Sequence, residues 1–127
     1  MIWLTRDMVE AFHRESLARF GGADGLRDPG LLESALARPE NIHAYEPQAD
    51  LFRLAASYCA GIVKNHPFVD GNKRVAAHAT IVFLDLNDQE FLATPEELVE
   101  MTLAVAEGKV QAEALAIWFR QRLRSAE

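Results

Sequence analysis

His66-Pro67-Phe68-Val69-Asp70-Gly71-Asn72-Lys73-Arg74 runs straight into Val75-Ala76-Ala77-His78-Ala79-Thr80-Ile81-Val82-Phe83-Leu84-Asp85-Leu86. The second half predicts a helix from about Asn72 to Leu86. It is apolar on most sides, through Val75, Ala76, Ala79, Ile81, Val82 and Phe83, and a helix of that kind is expected at the centre of a fold. The first half is the loop that opens it. A helix N-terminus offers unpaired N–H groups and the positive end of its dipole, so it binds anions. Gly71 lets a ligand come close to the backbone. Lys73 and Arg74 stand in the first turn, the wrong end for helix stability. Their presence makes sense if phosphates are held there, with Arg74 as a bidentate grip and Lys73 as a point charge.

Asp70 would repel a bare phosphate, but it suits magnesium, which favours a carboxylate together with substrate phosphates. His66 can take a proton from an attacking hydroxyl near neutral pH. Phe68 reads as an apolar anchor that pins the loop to the core. Taken singly, each residue has an ordinary reading: a structural histidine beside proline, a solvated basic face, an aspartate N-cap. The order of histidine, anchor, acid, glycine, asparagine and two cations within nine residues is what points to chemistry.

Working outward, helix signals dominate. Thr5 caps a first helix, with Asp7 and Glu10 near its positive end and Met8, Phe12 and Leu17 as its buried side. Gly21-Gly22 stops it. Asp28-Pro29 opens a second, short helix with stripe Leu31, Leu32, Ala35 and Leu36, which Pro39 should end. Residues 39–49 then read as an irregular segment. Asp50 caps a third helix to about Lys64, with Leu51, Leu54, Ala55, Tyr58 and Ile62 at helical spacing. Asn87-Asp88 breaks the fourth helix, and Gln89 to Leu92 is expected to be briefly extended. Thr94-Pro95-Glu96-Glu97 starts a fifth, with Thr94 and Glu97 as a capping box, and Gly108 ends it. A last helix is expected from about Val110 to Arg124, carrying Leu115, Phe119 and Leu123. With no strand pair in view, the fold class is all-α: one compact single-domain bundle of about six helices over residues 1–127.

The 127 residues carry a net charge of -6, which repels nucleic-acid backbones, so no direct nucleic-acid binding is expected. No apolar run is long enough for a membrane and the N-terminus is no signal peptide, so the cytoplasm is the default. A lone cysteine, Cys59, excludes an intrachain disulfide and reads as inert in its apolar helix. His78, four residues after Arg74, reads as packing. His13 and His43 have no partner in sequence, and Trp3 and Trp118 read as core or partner-facing aromatics.

HPFVDGNKR resembles the Fic motif, HxFx(D/E)GNGR, and resembles more closely the variant of the Doc ("death on curing") toxins, in which lysine replaces the second glycine. Gly25 to Leu36 and the helix order are also Doc-like. The resemblance implies the Fic/Doc fold, with ATP and Mg2+ as cofactors. It implies His66 as general base, Asp70 as magnesium ligand, and Asn72, Lys73 and Arg74 on the nucleotide phosphates with backbone amides near Gly71. Residues 40–48 would be the flap that aligns target backbone. Most Fic proteins transfer AMP and carry glycine where this chain has Lys73 and arginine where it has Ala77. Doc resembles instead a kinase that phosphorylates a threonine of elongation factor Tu. A lysine crowding the α-phosphate position would make ATP bind reversed, presenting its γ-phosphate. The resemblance also implies a cognate antitoxin as partner. An AMP transferase and a non-catalytic antitoxin-binding module are the alternatives.

Overall fold

The computed structural model describes residues 1–90 and 92–122. It contains α1 (Arg6–Phe20), α2 (Pro29–Tyr45), α3 (Leu51–Asn65), α4 (Asn72–Leu86), α5 (Pro95–Ala106) and α6 (Ala112–Gln121). The fold is all-α: among the described residues the β pairing is one isolated bridge, Leu26 with Phe68. Four starts follow the expected chemistry. Thr5, Asp28, Asp50 and Thr94 each accept a backbone N–H from the first turn of their helix, which removes an unpaired donor at each end.

The central helix is α3, not α4. Every residue from Leu54 to Val63 is buried, and α3 packs against α2, α4, α5 and α6. Its small residues explain this. Ala55, Ala56, Ser57, Ala60 and Gly61 let neighbouring backbones close in, and a Cβ at Gly61 would already sit 3.4 Å from that of Ala35. α4 has a half-covered side at Ile81 and Val82. One core cluster draws on all six helices.

Pro39 does not end α2; it lies inside it and is buried. A proline there forfeits the bond to the Ala35 carbonyl, at about 3 kcal/mol. Its ring, however, extends the stripe Leu32, Ala35, Leu36 at i, i+3, i+4, i+7. The helix beyond it also gains contacts: Ile42 packs on the core and the His43 ring meets Trp3 edge-on at 5.5 Å. The segment expected to be irregular is therefore helical as far as Tyr45, and residues 40–48 do not form the expected flap as a loop.

Smaller differences have simple causes. The buried line of α1 is Val9, His13 and Ser16, flanked by half-buried Met8, Phe12 and Leu17. α6 begins two residues later than expected, after Gln111. Leu123 and Arg124, expected in that helix, lie outside the described residues, as does Phe91 of the expected extended stretch. There Gln89 bonds back to the Leu84 carbonyl at 2.9 Å.

The N-terminus is strapped down. The Leu4 N–H donates to the Tyr58 hydroxyl at 3.1 Å, and burial pushes that phenol up to about 12. Asn87 binds both backbone groups of Ile2, and Trp3 stacks on Phe83. Cys59 is fully buried beside Thr102, and burial raises its thiol, so it stays protonated. No helix among the described residues is long and apolar enough to cross a membrane.

Candidate active site

α3 ends at Asn65, and His66 turns the chain in the left-handed region, with φ 51° and ψ 54°. That conformation costs a non-glycine residue roughly 1–2 kcal/mol, so its neighbours must hold it. The loop before α2 does so. Arg27 and Asp28 donate their backbone N–H groups to the Pro67 carbonyl at 2.7 and 3.0 Å, and Val69 donates to Gly25 at 3.0 Å. His66 itself is exposed, and among the described residues no hydrogen bond holds its ring.

The middle of the loop is pinned inward. Phe68 is 1% exposed, as expected of an anchor. It stacks on the buried His13 ring, centroids 4.0 Å apart. The side chain of Asn72 folds back to accept from the Phe68 N–H at 3.0 Å and donate to the Phe68 carbonyl at 2.9 Å. Its amide is thereby spent on loop shape. In this structure the Asn72 side chain, expected on the nucleotide phosphates, is bonded to the loop backbone through both its oxygen and its nitrogen.

Gly71 is the N-cap of α4, at φ 83°. A Cβ there would meet only ordinary contacts with His13 and Ser16, so the glycine answers to the left-handed backbone more than to crowding. No side chain caps α4, so the first N–H groups and the positive dipole end stay available to an anion. Asp70 does not cap the helix. Its carboxylate accepts from Gly71 N–H at 2.8 Å and Ala23 N–H at 3.3 Å. The Gly71 bond first, then that of Ala23, hold its carboxyl below the usual range, and the charges of Arg74 and His13 add to this. The exposed carboxylate is therefore ionised at neutral pH, the form that binds a cation.

Lys73 and Arg74 are exposed beside it. Among the described residues Lys73 has no ion pair, and the Arg74 guanidinium lies 4.5 Å over the Phe20 ring. A groove of about 530 Å³ begins here, lined by Arg74, Phe20, Ala77, Leu98, Val99 and Ser16 among others. The Ser16 hydroxyl is buried with no hydrogen-bond partner among the described residues. Such a group costs about 1–3 kcal/mol unless a ligand or water meets it. His78 packs on Phe12 at 4.3 Å and also borders the groove.

A magnesium ion fits this donor set in one way. Among the described residues no three His, Cys, Asp or Glu side chains gather, so a cation at Asp70 would complete its shell with water and ligand phosphates, as magnesium commonly does. Two site residues escaped the sequence reading, His13 and Arg27. The signal for His13 was its place four residues after Val9, on the buried line of α1. Glu107 sits at the far end of α5, roughly 12 Å along the axis from Val99; it pairs with Lys109.

The model of the Fic/DOC family matches residues 3–84. The chain is 34% identical to "Protein kinase doc" of Escherichia phage P1 over 117 residues, 92% of each chain. It is 39% identical to "Toxin Doc" of Mycolicibacterium smegmatis over 92 residues, 68% of this chain and 71% of that one.

Proposed function

The chain belongs to the Fic/DOC family, and from that premise we propose that it is a Doc-like toxin: it transfers the γ-phosphate of ATP to a protein hydroxyl, a threonine of elongation factor Tu by resemblance, and so arrests translation in the cytoplasm. One observation carries this. The uncapped N-terminus of α4 has Asp70, Lys73 and Arg74 around it and an unencumbered His66 at the other end of its loop.

In the reaction, the hydroxyl oxygen forms a bond to the γ-phosphorus while the bond from that phosphorus to the β-bridging oxygen breaks. His66 receives the hydroxyl proton and ADP leaves. Arg74, Lys73 and the α4 N–H groups hold the phosphates and stabilise the charge that moves onto them. Magnesium at Asp70, when bound, neutralises phosphate charge. Lys73, in place of the glycine of AMP-transferring relatives, and Ala77, in place of arginine, support phosphate over AMP transfer.

An uninhibited enzyme of this kind would harm its host. Many Fic proteins restrain themselves with a helix bearing (S/T)xxxE(G/N); the near match in this chain, Thr102 to Gly108 with Glu107 as its acid, is one residue too long, and Gly108 serves as an ordinary helix stop at φ 78°. Inhibition is therefore assigned to a separate antitoxin. Its docking segment would be a short helix lying in the groove past Phe20, Leu98 and Val99. Expressed alone, the chain should arrest growth; expressed with its genomic neighbour it should not. A chain harmless alone that becomes toxic as Glu107→Gly would place inhibition within the protein. The chemistry is tested by incubation with γ-labelled ATP, magnesium and cell extract: label should reach a polypeptide, and no label in that mixture would sink the kinase reading.

A further inference from the structure

We infer that Arg27 and His13, both outside the motif, are positioning residues that fix its two ends: Arg27 aims His66, and His13 aims Asp70. The inference rests on the phosphotransfer reading above.

Arg27 lies on the loop before α2. Its Nε donates to the His66 carbonyl at 2.7 Å and its Nη2 to the Asn65 carbonyl at 2.9 Å. These are the last carbonyls of α3, where a cation also meets the negative end of the helix dipole. The backbone N–H of the same residue holds the next carbonyl, that of Pro67. One residue thus grips three consecutive carbonyls across a left-handed turn. The His66 ring has no partner of its own, so its direction follows from this backbone. Loosening the turn should misplace the base while leaving the phosphate site on α4 in order.

His13 acts at the other end. Its Nε2 lies 2.9 Å from the Asp70 carbonyl. A carbonyl only accepts, so Nε2 carries the proton. The residue is 4% exposed, and its ring is clamped against Phe68. The Asp70 carbonyl and the Gly71 N–H belong to one peptide unit. His13 holds the carbonyl end, and the N–H end binds the Asp70 carboxylate at 2.8 Å. Fixing that peptide plane fixes where the carboxylate points.

The two roles should separate in kinetics. With purified full-length chain and varied magnesium–ATP, Arg27→Ala should lower kcat about 100-fold, as expected for a base displaced by about 1 Å, with KM for ATP near the wild-type value. Arg27→Lys, able to reach one carbonyl, should recover part of the loss. His13→Leu should weaken magnesium-dependent ATP binding about 10- to 100-fold, the usual effect of losing an outer-shell partner. His13→Gln, whose amide can still donate, should restore most of it. A general loss of stability would not produce this split. The His66 ring signal, followed by NMR, should shift in Arg27→Ala, and calorimetry of ATP with magnesium reads His13 without turnover. If the wild-type chain transfers no phosphate, the kinase reading fails while these two signals still decide the positioning roles. An unmoved His66 signal with wild-type kcat in Arg27→Ala, or His13→Gln as impaired as His13→Leu, would overturn the inference.

Discussion

His66→Ala should bind ATP nearly as the unaltered chain does and transfer its phosphate about 100- to 10,000-fold more slowly, the range that a positioned general base contributes. The expectation follows from where the residue stands. His66 is the C-cap of α3 and is exposed, whereas the groups proposed to hold phosphate belong to the first turn of α4. Removing the imidazole takes away a proton acceptor without touching the Asn72–Phe68 bonds that shape the loop. Folding should be unaffected, and growth arrest should disappear with the transfer activity. Rates of transfer measured at saturating ATP check this, and a variant as fast as the unaltered chain would remove His66 from the chemistry.

Phe68→Ala is the largest expected loss of stability within the site, about 3–5 kcal/mol, as for other fully buried phenylalanines. Its ring is 1% exposed and stacked on His13. Losing it leaves a cavity beneath the loop and frees the ring of His13, so the Asp70 peptide loses its support as well. Since small proteins are stable by only about 5–15 kcal/mol, this one change takes a large share. Urea unfolding gives the figure directly. A cost under about 1 kcal/mol would mean that the loop is not anchored through this ring.

Much of this was readable from residue order. The caps at Thr5, Asp28, Asp50 and Thr94 announce helix starts because each pairs a specific side chain with a specific unpaired N–H. The motif loop was legible for a related reason: its residue types are costly where they stand unless a ligand explains them. The misreadings came from tertiary packing. Pro39 looked like a stop because its local cost is real, yet its ring completes a buried stripe. α3 looked ordinary because small residues carry little hydrophobic signal, although they are what admits four neighbouring helices. The phosphate role of Asn72 came from the family resemblance alone, and the folding of its side chain back on Phe68 is set by loop geometry that residue order does not carry. His13 and Arg27 lie 57 and 39 residues from the groups they hold, a distance at which pattern reading has no purchase.

The central claim is that this chain moves the γ-phosphate of ATP, and the lysine at position 73 is the residue on which it turns. The most direct measurement uses ATP labelled in parallel at the α and γ positions, with purified chain, magnesium and cell extract, followed by detection of labelled polypeptides. The account predicts γ label on a target and no α label there, with γ transfer weakened in Lys73→Gly. Label from the α position on the target, with none from the γ, would contradict it and identify an AMP transferase.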